Sequence, residues 1–276
     1  AVVHTLTQTL HDRVRTNRNR DTITEAEQQK LRETTIGVAG LSVGSNVLTA
    51  LSLMGQYQHL KIADADELSL SNLNRLQASL TDIGAPKTTL AARGIYERDP
   101  EAEVAVFAEG LNEQNLHDFL DGVDIIFDEI DDVSMKARLR LAARERKLPV
   151  IMMTDCGDSG ILDIERYDLD ANQALFHGRL DDAELDSLLG ARPDRDKWLQ
   201  LVAKIIGLEH VPSRLLKSFP KIGHELAGAP QLGTAAMVSG GIGAYVARMI
   251  ALGVPLKTGK IPLIVEANIL KDYEGE

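Results

Sequence analysis

Hydrophobic and polar positions change register at Thr35. Residues 1 to 33 are polar and charged, with apolar positions at Ile23, Ala26 and Leu31, the pattern of an N-terminal helical arm lying on a surface. Beyond it, "TIGVAG" is a short β-branched run ending in glycine, "SNVLTALSLMG" has helical spacing with a glycine stop, and "HLKIADAD" is a second apolar run closed by acids. These three predict a βαβ unit. The alternation continues with a helix from about Pro86, a strand in "AEVAVFAEG", a helix in "NEQNLHDFLDG" and a strand in "VDIIFDEID". A helix in "VSMKARLRLAARERK" and strands in "LPVIMMTDCGD" and "ILDIERYDL" follow. Strands and helices in turn imply an α/β, Rossmann-like, mostly parallel sheet with helices on both faces. The expected organisation is an arm over 1–33, a nucleotide-binding domain over 34–165 and a helical extension over 166–276. The extension carries a glycine-rich core helix near 230–252 and a terminal strand.

Composition narrows the chemistry. Of 276 residues, 44% are hydrophobic, enough for a substantial core, and the net charge of −11 disfavours a nucleic-acid or anionic-membrane partner. Any phosphate ligand then needs a local basic cluster. The long charge-free run before Arg248 is about as long as a membrane span, but its glycines and its end at Gly253 and Pro255 read better as a core helix. Cys156 is the sole cysteine, which excludes an internal disulfide and a four-cysteine zinc site and fits a reducing cytoplasm. No secretion leader is read at the start.

Four stretches carry candidate chemistry. "AGLSVGSN" places Gly40, Ser42, Gly44 and Ser45 where the first strand turns into the first helix, a place where backbone N–H groups can hold phosphate. It matches GxGxxG only in part, because Ser42 and Ser45 stand at two glycine positions. Asp64, at the end of the second strand, sits where an acid can bind a ribose hydroxyl. Asn72, Asn74, Arg75 and Lys87 follow within one short window, and a nicotinamide enzyme has no use for them. A triphosphate does, since arginine and lysine neutralise the charge that develops as pyrophosphate leaves. Leu68, Leu70 and Leu73 are the expected packing points of this loop. Asp66 and Glu67 need no role beyond turn chemistry.

The order "GLSVGS", "DADELSLSNLNR", "DIGAPK" and "DEIDD" resembles the ThiF, MoeB and ubiquitin-activating E1 superfamily of adenylyltransferases over about residues 15 to 165. The tail looks most like its MoeY-type branch, whose members are often fused to a nitroreductase-like domain. The resemblance implies ATP and Mg²⁺ as cofactors, no zinc, and a homodimer acting on a carboxylate-bearing substrate: a ubiquitin-like protein, a peptide or a small acid. It assigns Asp64 to the ribose, Asn72 and Arg75 to the phosphates, Lys87 to the phosphates and transition state, and Asp131 to the metal. An arginine of the partner's arm, Arg18 or Arg20, would complete the site. Asp128 and Asp132 flank Asp131 and read as solvated strand-end acids.

Cys156 lies on the expected rim with no basic neighbour, and an inert, half-buried thiol is the favoured reading over a thioester nucleophile. His59, His117, His210 and His224 lack companions at ligand spacing, and Trp198 reads as a packing anchor. Two other classes stay open. An NAD(P)-binding oxidoreductase would leave Asn72, Arg75 and Lys87 idle, and a catalytically idle E1-like scaffold would bind ATP without turnover.

Overall fold

A computed structural model describes residues 6–57, 59–190 and 194–271. Two helices, α1 (Gln8–Arg15) and α2 (Glu25–Arg32), form the arm, and Thr24 and Glu27 close a capping box at the start of α2. The arm is pinned rather than merely resting on a surface: Ile23 and Leu31 are buried, and Arg15 donates to the Ser52 carbonyl and to Asp99 at 3.0 Å.

The sheet-building segment runs β1 (Thr35–Ala39), α3 (Val43–Met54), β2 (His59–Ala63), α4 (Lys87–Tyr96), β3 (Glu103–Phe107), α5 (Leu116–Leu120), β4 (Ile125–Asp128) and α6 (Val133–Glu145). It continues through β5 (Pro149–Cys156) and β6 (Ser159–Arg166). After the short helices α7 (Asp182–Leu189), α8 (Arg195–Ile206) and α9 (Ser213–Leu216) come the 20-residue α10 (Gly233–Leu252), β7 (Gly259–Leu263) and α11 (Val265–Ile269).

One seven-stranded sheet has the order β3-β2-β1-β4-β5-β6-β7. The first five strands are parallel, whereas β6 and β7 pair antiparallel, so the extension returns a strand to the edge of the sheet. The helix expected over "NEQNLHDFLDG" is shorter, because Asn112 and Asn115 side chains bond backbone N–H groups in the preceding turn.

Each face of the sheet has its own core. Ile36, Val38 and Phe127 pack with Val47, Leu48 and Leu51 of α3 and with Ala244, Val246 and Ala247 of α10. On the other face Phe119, Ile126 and Val150 pack with Ala137 and Leu139 of α6, with Leu188 of α7 and Leu201 of α8, and with half-buried Trp198. α10 is as long and apolar as a membrane span, but its small residues meet protein. A Cβ on Gly240 would come 2.6 Å from the Asn46 backbone of α3, and one on Gly243 3.1 Å from the Phe127 ring.

Asp128 departs from its expected place in solvent. It is wholly buried, joined to Arg140 and, at 3.2 Å, to Lys136, and Arg140 in turn pairs with Glu165. Burial alone would raise the Asp128 carboxyl, but Lys136 and Arg140 outweigh it and hold it below the usual carboxylate range. The sequence signal misleads because strand-end acids usually point to water. Here two cations one turn apart on α6, Lys136 and Arg140, enclose the acid.

Candidate nucleotide site

Between β1 and β4 the strand order reverses direction, and ligands of open α/β sheets gather outside the carboxyl ends of strands at such a point. The turn after β1 forms one wall. Gly40 has φ +89°, and a Cβ there would overlap the Glu129 carbonyl, so only glycine lets the two chain segments touch. Gly44 opens α3 against Val38, where a Cβ would lie 2.8 Å from the valine. Ser42 accepts from the Arg75 guanidinium at 3.1 Å, and the Ser45 hydroxyl donates to the Ser42 carbonyl at 2.9 Å. The two serines at glycine positions are thus hydrogen-bonded parts of the turn.

Asp64, just past β2, accepts from the N–H groups of Leu41 at 2.6 Å and Asp66 at 2.7 Å, tying the two strand ends together. Burial raises its carboxyl above the usual value, against those two bonds and the Lys87 charge. Lys87 is buried at the start of α4, with its ammonium 2.7 Å from Asp66 and 3.9 Å from Asp64. Asp66 therefore does more than close a turn: it is the partner of the lysine.

Asn72 is buried and its side-chain oxygen accepts from Ser69 N–H at 3.0 Å, which closes a 3-10 turn and fixes the loop. Arg75 bonds Ser42, the Ser71 carbonyl and the Asn74 side chain, and Asn74 also donates to the Gln231 carbonyl at 2.7 Å. Burial lowers the Arg75 pKa, opposed by the charges of Asp155 and Asp131. Of the expected packing points, Leu68 is buried and Leu73 half-buried, but Leu70 is 64% exposed; Leu76 takes its place in the core.

Asp131 is exposed beyond β4, and its charge reaches Arg75. Asp132 instead caps α6 by accepting from Met135 N–H at 3.0 Å. Gly40, Ser42, Gly44, Asp64, Arg75, Lys87 and Asp131 are thus gathered at one end of the sheet. Arg18 and Arg20 are not among them; both are exposed in the turn between α1 and α2.

A cavity of about 210 Å³ adjoins Lys87 between α3 and α4, bordered by Leu41, Ser45, Arg93 and Arg98. An exposed carboxylate whose charge reaches an arginine suits a Mg²⁺ ion that keeps waters and phosphate oxygens as its other ligands.

Two acids at the site escaped the sequence reading. Glu129 accepts from Met153 N–H at 2.9 Å, and burial pushes its carboxyl well up. Asp155, at the end of β5, accepts from the Ser239 hydroxyl of α10 at 2.9 Å, and burial raises it to about 6, opposed by Ser239 and Arg75. A signal for Asp155 existed in "TDCGDSG" as a polar strand end, but its link to α10 spans 84 residues. Cys156 is buried and its thiol is pushed up to about 12 by burial and by Asp155, an unreactive state. His59 lies 2.9 Å from Glu103 and His117 bonds Arg146 at 2.6 Å, both away from the site.

Comparison with known proteins places the chain in a family. The uncharacterized protein MT1398 of Mycobacterium tuberculosis is 38% identical over 256 residues, covering 93% of this chain but only 35% of that protein's length. The sulfur carrier protein ThiS adenylyltransferase of Escherichia coli is 27% identical over 137 residues, covering 49% of this chain and 54% of that protein. Among solved structures, SeMet PaaA superposes with a TM-score of 0.64 at 19% identity, covering 94% of this chain and 78% of the other. The E. coli tRNA N6-threonylcarbamoyladenosine dehydratase TcdA, in complex with AMP, superposes with a TM-score of 0.60 at 19% identity, covering 87% and 95%. These two likenesses concern the fold. The model of the ThiF family matches residues 16–160, just over half of the sequence, and the chain belongs to that family.

Proposed function

We propose that this chain is the adenylyltransferase unit of its protein: it activates a carboxylate with Mg-ATP, giving an acyl-adenylate and pyrophosphate. The observation that carries the reading is the convergence of Arg75 and Lys87 on the turn at Gly40, beside Asp64. A dinucleotide oxidoreductase leaves those two cations without work. Family membership and the likeness to an adenylyltransferase support the same reaction.

In the reaction a substrate carboxylate oxygen attacks the α-phosphorus, the bond from that phosphorus to the bridging oxygen breaks, and pyrophosphate leaves with the electron pair. Asp64 takes the ribose hydroxyls on the lone pairs left by its two backbone bonds. Lys87 and Arg75 hold phosphate oxygens and offset the charge on the leaving group; Arg75 is already anchored, and Lys87 exchanges Asp66 for phosphate. Asn72 keeps the loop in register and offers its amide to a phosphate. Asp131 is the residue that would hold Mg²⁺, which adds positive charge at the phosphates. Buried Cys156 takes no part.

The arm supports a shared site in a homodimer. Arg15 is folded onto its own subunit, whereas Arg18 and Arg20 are exposed and free to reach a partner. A nitroreductase-like neighbour and a cytoplasmic setting belong to the same proposal. Substrate selection is assigned to residues after 166.

The decisive measurement is carboxylate-dependent ATP–pyrophosphate exchange across glycine-ended peptides and small acids. Wild type should exchange with at least one of them and Asp131→Ala should not. Full exchange by Asp131→Ala would sink the metal assignment. Tight NAD binding without ATP binding would favour the oxidoreductase.

A further inference from the structure

Asp155 has an uncommon environment for an acid. It is 8% exposed, Ser239 occupies one carboxylate oxygen, and the other oxygen is buried without a partner among the described residues. A buried, unpaired carboxylate oxygen is costly, and its persistence calls for a compensating charge. Arg75 is the cation whose charge favours the ionised form of Asp155, although the two make no direct ion pair. The other groups facing Asp155 are the Glu129 carboxyl at the end of β4 and the Cys156 thiol beside it in the strand, both raised toward their neutral forms. From α10 it receives only the Ser239 hydroxyl.

The same helix positions both partners. Gly233 lies against the Asn74 carbonyl, where any Cβ would overlap it, and the Gln231 carbonyl just before α10 receives the Asn74 amide. Gly240 lies against Asn46, whose amide in turn donates to the Arg75 carbonyl at 3.1 Å. Two turns of α10 thus separate the residue touching the arginine loop from Ser239, which holds the acid.

We infer that Asp155 is the resident counter-ion of Arg75, a positioning residue held by Ser239 that competes with phosphate for the guanidinium and keeps nucleotide and pyrophosphate binding weak enough for release. This deepens the adenylyltransferase reading and rests on it. An acid kept beside the phosphate-binding arginine opposes an incoming polyphosphate, so its removal strengthens binding. Damage to the site would weaken binding, so the sign separates the two causes.

The test is calorimetric binding of Mg-ATP and of magnesium pyrophosphate to the full chain between pH 5 and 8. At pH 7.5, Asp155→Asn should bind both about 3- to 10-fold more tightly than wild type, as expected for one unit charge removed at moderate range in a partly screened site. The ratio of the two affinities cancels titration of the phosphates themselves. It should fall toward one as pH drops through about 6, where wild-type Asp155 gains its proton. Ser239→Ala, which removes the bond that favours the ionised acid, should move this transition to higher pH and leave the pH 8 affinity near wild type. Equal or weaker binding by Asp155→Asn, or a ratio that does not change with pH, overturns the counter-ion assignment while leaving the ATP site intact. Failure of wild type and variant alike to bind either probe overturns the nucleotide reading and the counter-ion with it.

Discussion

Arg140 has no exposed surface and carries two acids, Asp128 at the end of β4 and Glu165 on β6, with its guanidinium 4.3 Å from the Phe176 ring centre. Removing one member of such a network strands the others without solvent. Arg140→Leu should therefore cost about 3–5 kcal/mol at pH 7 in urea denaturation. The sign with pH is fixed by Asp128, whose folded pKa is depressed: its pairing stabilises the native state above the ordinary carboxylate range and that stability is lost as pH falls. The deficit of the variant should shrink accordingly as acid is added, and a deficit constant from pH 7 to 4 would contradict the pairing. Arg140 was not legible from sequence, being one of four arginines between 138 and 146 with nothing local to mark it. Gly40, Asp64, Arg75 and Lys87 were legible, because phosphate turns and strand-end acids are written in short contiguous segments. Asp155 and Glu129 were not, because their partners lie 24 or more residues away.

At the scale of elements, the alternation up to β5 could be read because each strand and helix carries its own periodicity. The antiparallel return of β6 and β7 could not, since pairing direction leaves no mark on a run buried on both faces. α10 was visible as a glycine-rich helix, but its glycines are unequal. Gly240 meets the Asn46 backbone, whereas Gly241 meets nothing within 4 Å. Gly240→Ala should lower stability by about 1–3 kcal/mol through overpacking. Gly241→Ala should be neutral or stabilising by up to about 1 kcal/mol, from helix propensity. Thermal melts of the pair check both, and equal losses would mean that α10 does not seat on α3 as described. Nucleotide affinity should fall only in the Gly240 variant, because Asn46 carries the Arg75 loop.

For the whole molecule, the arm raises a question of shared sites. Arg18 and Arg20 project from the turn between α1 and α2, while the rest of the arm is pinned by Ile23, Leu31 and Arg15. If the arm completes a neighbour's site, Arg20→Ala and Asp131→Ala proteins are each inactive alone. Mixed in equal amounts with subunit exchange, they should recover about a quarter of wild-type pyrophosphate exchange, since half the dimers are mixed and each has one intact site. No recovery would rule out a site shared between subunits, and full activity of both Arg18→Ala and Arg20→Ala alone would place the arm outside catalysis.

The Lys87–Asp66 pair has a consequence for the speed of encounter. Near the phosphate turn Arg75 and Lys87 are flanked by Asp64, Asp66, Asp131 and Asp155, on a chain whose net charge is −11. A triphosphate thus diffuses toward a repelling field and gains its attraction only on contact, when it takes the lysine from Asp66. In stopped-flow mixing with Mg-ATP the association rate should rise, or stay level, as inert salt is added from low ionic strength, the reverse of a steered encounter.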